Sequence, residues 1–197
     1  LFNSEAEYLA AAKRADAVIY FGGLTHADDR EAIDRPDMKL PNSQDEVISK
    51  LLQANPNTTV FLVAGSAVEM PWANQAKSIV WGWYGGMEAG NAFANVLSGK
   101  VNPSGKLPIT LPEKLEHTAP IALDDYNAKD SFYKEGVFIG YRWFEQQSIK
   151  PIFEFGYGLS YTSFEYSDIK LSNLTFDQSK GLTVFATITN TGNVAGS

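Results

Sequence analysis

Two regimes of apolar and polar spacing follow one another along this chain, and the change from one to the other predicts its elements. In the first half, short unbroken apolar runs are separated by helical stripes. Ala17-Val-Ile-Tyr-Phe21, Thr58-Thr-Val-Phe-Leu-Val-Ala64 and Ser78-Ile-Val-Trp-Gly82 have strand length. A run without polar alternation is what a strand covered on both faces requires. Residues 1–13 read as a helix capped by Asn3 or Ser4, with Glu5 and Glu7 in a first turn whose dipole favours negative charge. Val47, Ile48, Leu51 and Leu52 form one apolar stripe over 43–54, with Ser43 as the expected cap before Gln44, Asp45 and Glu46. Asn55-Pro56-Asn57 ends that helix, because proline cannot continue it. Met87 to Leu97 reads as a further helix with Gly99 as its C-cap. The succession predicts an α/β fold: a mostly parallel sheet sandwiched by helices. Strands at 16–21, 59–64 and 78–82 are expected at its centre, with helices 43–54 and 87–98 crossing over them.

Beyond Asn102-Pro-Ser-Gly105 the texture changes. Leu107 to Leu111 reads as a short strand. Residues 118–161 carry few helix signals, many glycines and a run of aromatics including Tyr126, Phe132, Trp143, Phe153 and Tyr161, which predicts irregular chain packed by rings. From Phe164 the pattern alternates through Ile169, Leu171, Leu174 and Phe176, then Leu182, Phe185 and Ile188. Two strands joined through Asp177–Gly181 fit the opening of a β-sandwich. The expected organisation is an α/β domain over 1–160, incomplete at its N-terminus, followed by a truncated β-sandwich over 161–197. Two strands cannot bury a sandwich core, so that element is expected to be unstable by itself. Both ends read as cuts within a longer polypeptide.

The one long break in this pattern is polar. Between Phe21 and Pro41 the chain places Asp28, Asp29, Glu31, Asp34 and Asp37 just past the C-terminal end of the first strand. That edge is where open α/β sheets keep their chemistry. A structureless stretch of this length inside a domain is a functional loop or a disordered one, and Pro36, Leu40 and Pro41 favour order. A net charge of −7 over 197 residues, with no basic run, argues against a nucleic-acid surface. The lack of cysteine excludes disulfides, thiolate metal sites and cysteine nucleophiles. No apolar stretch approaches the ~20 residues that span a bilayer. Gly22-Gly23 lacks the third glycine and the following helix of a dinucleotide loop, and Ser66 lacks the flanking glycines of a nucleophile elbow. Asp28, Asp29 and Glu31 do not follow the alternating oxygen pattern of a calcium loop, and His26 and His117 stand too far apart to start a metal set. Neither a metal nor a cofactor is expected.

Set in order, the motifs resemble glycoside hydrolase family 3. Gly22-Gly-Leu24 with Asp29-Arg-Glu-Ala-Ile-Asp-Arg35 and Leu40-Pro41 is similar to the signature of the family's second domain. Gly65-Ser-Ala-Val-Glu-Met-Pro-Trp72, Trp81-Gly-Trp-Tyr-Gly-Gly-Met-Glu-Ala-Gly90 and Leu97–Pro108 continue it. Tyr133–Trp143 and Phe153-Glu-Phe-Gly-Tyr-Gly-Leu-Ser-Tyr161 complete it. The resemblance implies an exo-acting β-glycosidase, a β-glucosidase above all, acting on a β-linked glucoside or oligosaccharide. It implies an N-terminal barrel bearing the nucleophile aspartate, and a fibronectin type III-like domain beginning after 160. Glu31 takes the place of the general acid/base, where composition alone would read a solvated acid. Asp34 and Arg35 are expected to support the loop through a salt bridge. His26 either touches sugar hydroxyls or is merely exposed; Trp72, Trp81, Trp83 and Tyr84 either stack on sugars or pack against the barrel. Ala32 stands where the family pattern has glycine, so a positive φ there would strain the loop. A periplasmic or extracellular location follows from the same resemblance, and a homo-oligomer stays open. Asn57-Thr-Thr59 and Asn173-Leu-Thr175 are glycosylation-type sequons. The isolated chain is expected to be inactive. A non-catalytic carbohydrate-binding or structural module is the other reading.

Overall fold

The computed structural model describes residues 4–126 and 129–197, so the expected helical start at 1–3 and the cap at Asn3 lie outside the described residues. Two compact units divide the chain. One comprises residues up to Ala89 together with Leu107–Tyr157; the other comprises Gly90–Lys106 together with Gly158–Ser197.

The first unit is built on three parallel strands, β1 (Val18–Gly23), β2 (Thr58–Val63) and β3 (Ser78–Trp81), in the order β1-β2-β3. Helix α1 (Glu5–Arg14) packs on α2 (Gln44–Ala54), and α2 packs on β1 and β2. Ser4 caps α1, its Oγ accepting the Glu7 N–H at 3.3 Å. The unbroken apolar run of β2 is buried as expected: Val60, Phe61 and Leu62 are at or near zero exposure. Val60 and Leu62 join Ile48, Leu52, Val68, Met70, Trp72 and Leu111 in one core.

β1 departs from the expectation. Among the described strands β1 and β3 lie at the edges and β2 alone at the centre, and the burial of β1 alternates, leaving Ile19 and Phe21 exposed while Phe21 stacks on Phe61 at 4.8 Å. Apolar composition thus reported strand propensity here and not two-sided cover.

The junction of α2 with β2 is held by a buried amide. Asn55, which ends α2, donates from Nδ2 to the carbonyls of Ala12 and Ala15 at 2.9 and 2.8 Å and accepts the Asn57 N–H. One side chain thereby ties the end of α1 to the start of β2. Asn57 Nδ2 is itself bonded to the Asp16 carbonyl. At the other end of α2 the expected serine cap is missing. Asn42 and Ser43 both adopt the left-handed conformation, and the Ser43 side chain makes no capping bond. The chain enters the helix through a tight turn, with the Pro41 carbonyl accepting the Gln44 N–H.

The segment 107–111 is not a strand. Leu107 and Leu111 pair with Tyr157 and Phe153 as a strap of isolated bonds. Downstream lie two short helices, α4 (Ala119–Ala122) and α5 (Tyr141–Gln146). Trp143 and Phe144 from α5 close a small second core with Ala119, and Trp143 Nε1 donates to the His117 carbonyl at 3.0 Å. The rings do not all pack: Tyr126, Phe132, Tyr133 and Phe155 are more than half exposed.

The second unit holds α3 (Ala89–Leu97), whose residues after Ala89 group with the C-terminal strands instead of with the sheet. Those strands, β4 (Phe164–Leu171) and β5 (Val184–Asn190), form an antiparallel pair with an irregularity between Ser167 and Lys170. Asn102 organises the unit. Its side chain bonds Ser160, the Tyr161 N–H and the Ala195 carbonyl.

Candidate functional site

Parallel strands end on the same edge of a sheet, so the segments following β1, β2 and β3 meet there. The end of β1 is fixed first. Gly23 has φ +133, and a Cβ at that position would collide with the Val63 carbonyl of β2. Gln44, the first residue of α2, grips the Gly23 backbone with both side-chain atoms, each at 2.8 Å, and accepts the Tyr20 hydroxyl. Burial, with Asp45 nearby, pushes the Tyr20 phenol up to about 12.

The polar loop that follows is ordered by its own side chains. Asp28 accepts the backbone N–H and the hydroxyl of Thr25 at 3.0 and 2.6 Å, which holds its carboxyl below the ordinary range. Further on, Met38 and Leu40 are buried in the sheet unit, and the Met38 carbonyl accepts the Glu69 N–H. Between these anchors the chain makes a tight turn. Arg30 and Ile33 bridge, and Glu31 and Ala32 form the tip. Ala32 has φ 65, so the turn does use the left-handed region that glycine fills without strain. For alanine that conformation costs about 1 kcal/mol. Glu31 at the tip is exposed, and none of the described residues bonds its carboxyl.

The legs of this turn are tied to the residues after β2. Asp29 accepts the Gly65 N–H at 3.0 Å, the Ser66 hydroxyl at 3.1 Å and the Tyr84 hydroxyl at 2.9 Å. Arg35 on the other leg donates to Ser66 Oγ at 3.3 Å and to the Ala67 carbonyl at 2.5 Å. Its Nη1 is buried without a partner among the described residues. Asp34 accepts the Tyr126 hydroxyl at 2.5 Å. The expected salt bridge is therefore replaced, for both Asp34 and Arg35, by bonds to neutral groups. Burial and the Asp29 carboxylate together raise the Tyr84 phenol above its ordinary value. His26 is exposed and lies nearly parallel to the Tyr84 ring, with centroids 6.4 Å apart.

The four tryptophan and tyrosine candidates separate. Trp72 is fully buried and donates to Asp45 at 2.8 Å, which removes it from any sugar. Trp81 and Trp83 are half-buried and pack edge to face. Tyr84 stands at the loop. His117 lies beside the second small core, its carbonyl accepting from Trp143. Among the described residues no group of three or more His, Cys, Asp or Glu side chains could hold a metal.

Sequence reasoning passed over Asp29, Gly65, Ser66 and Tyr84 as a group. The available signal was positional: each follows a parallel strand, and such strands deliver their trailing residues to one edge.

The profile of the glycosyl hydrolase family 3 C-terminal domain matches residues 3–161. The chain belongs to this family. Its relatives in the family include the "Probable beta-glucosidase I" of Emericella nidulans, 43% identical over 190 residues, 94% of this chain. The chain spans 22% of that protein's length. Among solved structures, DesR, a β-glucosidase from Streptomyces venezuelae in complex with D-glucose, superposes with a TM-score of 0.86 at 38% identity. That match covers 95% of this chain and 24% of DesR. A family 3 β-glucosidase from Bifidobacterium adolescentis gives the same TM-score at 36% identity, covering 96% of this chain and 28% of its own.

Proposed function

We propose that this family 3 segment contributes the general acid/base, Glu31, to a retaining exo-β-glucosidase whose nucleophile lies in the part of the polypeptide that this chain does not span. One observation carries the reading. Within the family motif, Glu31 stands exposed, its carboxyl bonded by none of the described residues, at the tip of a turn whose two legs are fixed to the C-terminal edge of the sheet.

The chemistry follows from that placement. An aspartate of the barrel attacks the anomeric carbon while the Glu31 carboxyl gives its proton to the departing glycosidic oxygen. The Glu31 carboxylate then takes a proton from water as that water displaces the aspartate. The two carboxyl groups must stand about 5 to 5.5 Å apart. Terminal non-reducing β-D-glucosyl residues are the proposed substrate, and a periplasmic or extracellular site the proposed location.

The test uses the full-length polypeptide. Glu31→Ala should lower turnover of a natural disaccharide by about 10²- to 10⁴-fold. Dinitrophenyl glucoside, whose leaving group needs little protonation, should be affected far less in the first step. Azide, which needs no base, should restore its turnover and yield a β-glycosyl azide. The chain by itself should not turn over an aryl β-glucoside. Equal losses on both substrates with no azide effect would remove Glu31 from the role. The strained Ala32 favours a second reading, a carbohydrate-binding module on the same scaffold, which predicts no dependence on Glu31 at all.

A further inference from the structure

Among the described residues none bonds the Glu31 carboxyl, so its position is set by its neighbours in the chain. Asp28 cannot do this, because its bonds go back to Thr25 within the same loop. Among the described residues Asp34 reaches only the exposed Tyr126. Asp29, two residues before Glu31, is different. Its carboxylate gathers three donors: the first two residues after Ala64 and a tyrosine three residues beyond β3.

The fit around it is close. A Cβ on Gly65 would lie 2.6 Å from the Tyr84 ring and 2.8 Å from Asp29 Oδ2, so only glycine lets the three meet. Ser66 Oγ, which donates to Asp29, also accepts from Arg35 on the opposite leg. Both legs of the turn are thus locked through one hydroxyl.

We propose that Asp29 is the positioning residue for Glu31, seating the turn on the ends of β2 and β3 and thereby fixing where the Glu31 carboxyl meets the glycosidic oxygen. The inference rests on Glu31 being the acid/base. A misplacement of about 1 Å in a reacting group can cost roughly 10²-fold, so a clamp two residues away has leverage without touching substrate. Asp29 takes no proton from the substrate and gives none.

The experiment compares variants of the full-length polypeptide on a natural disaccharide and on dinitrophenyl glucoside. Intact sites are counted by trapping the nucleophile with a 2-fluoro-glucoside. Asp29→Ala should lower kcat on the disaccharide by about 10- to 100-fold per trapped site, on the same positional argument. The dinitrophenyl substrate should lose much less in kcat/KM, which reports the first step, while its kcat and KM fall together because Glu31 is also the base of the second step. Asp29→Asn, which keeps acceptors for Gly65 and Tyr84, should recover most of the loss. Tyr84→Phe removes one donor from an exposed ring and should show the same leaving-group dependence on a smaller scale, so the inference stays readable should Asp29→Ala fold poorly. In the double variant with Glu31→Ala, the Asp29 effect on the disaccharide should vanish, since the residue to be positioned is gone. Three results overturn the proposal while leaving Glu31 intact: equal losses in kcat/KM on both substrates per trapped site, no recovery in Asp29→Asn, or additive effects in the double variant. A Glu31→Ala enzyme without leaving-group dependence sinks both readings together.

Discussion

The two compact units of this chain are made from similar amounts of apolar sequence per strand and differ in where it goes. In the sheet unit, β2 and its surroundings reach zero exposure around Val60, Leu62, Val68 and Trp72. In the unit carrying β4 and β5, no described residue is buried, and Leu174, Phe176, Ile169 and Ile188 all stand largely in the open. Alternation of apolar and polar residues specifies an extended strand with two unlike faces. It does not specify what covers the apolar one. A sheet that closes a core on its own helices can hold a loop rigidly at its edge, and the candidate site sits on that unit.

Matched substitutions turn this difference into measurements, best read by native-state hydrogen exchange, because the two units can open separately. The largest contrast lies between two leucines. Leu62 is at 0% exposure in β2 and Leu174 is at 97% beyond β4. Leu62→Ala should cost about 2–5 kcal/mol, because it removes buried methyl groups and leaves a cavity the core cannot refill. Leu174→Ala should stay within about 0.5 kcal/mol in the amides of β4 and β5. Comparable losses at the two positions would mean that Leu174 is covered in solution, and the contrast between the units would fail.

The same contrast explains what could be read from sequence. β2 was legible because every demand on it is local: an unbroken apolar run of strand length between Pro56 and Gly65. The stripe of α2 was legible for the same reason. β1 misled, because an edge strand and a central one share a composition. The Ser43 cap misled because the chain enters the helix through two left-handed residues, a backbone event that side-chain identity does not announce. At the site, Glu31 stood out through its motif and Ala32 through its departure from it. Asp29 did not, since its partners lie 36, 37 and 55 residues further along. Only the parallel topology brings those positions together.

Two asparagines give a smaller contrast. Asn55 is 8% exposed and bonds two carbonyls and one amide across the α1, α2 and β2 junction. Asn102 makes a comparable set of bonds in the second unit but is only partly buried. Asn55→Ala leaves carbonyls without water to replace the lost donor and should cost about 1–3 kcal/mol. Asn102→Ala lets water in, and the net loss should be nearer the roughly 0.5–1.5 kcal/mol of an ordinary exchanged hydrogen bond. Equal costs would show that solvent does not reach Asn102, and would narrow the difference between the units.

The smallest effect reverses sign between the units. Burial raises the carboxyl of Asp45 above its ordinary value, against the opposing bond from Trp72. The Ser179 hydroxyl, then the Ser179 N–H, with Lys180 adding to them, lowers that of Asp177. A raised carboxyl means the folded sheet unit binds more protons than the unfolded chain in the window just above the ordinary aspartate range. Its stability from Asp45 therefore increases as pH falls through that window and is lost as pH rises. A lowered carboxyl means the opposite for the turn at Asp177: its contribution is present above the ordinary range and is lost as pH falls. Carbon-13 titration of the two carboxyl groups should bracket the ordinary value from opposite sides. Asp45→Asn should flatten the acid-side slope of exchange in β2 while keeping an acceptor for Trp72, and Asp177→Asn should flatten a slope of the other sign near Gly181. Two carboxyls titrating on the same side would show that Asp45 is solvated, and that the dry interior of the sheet unit does not extend to the first turn of α2.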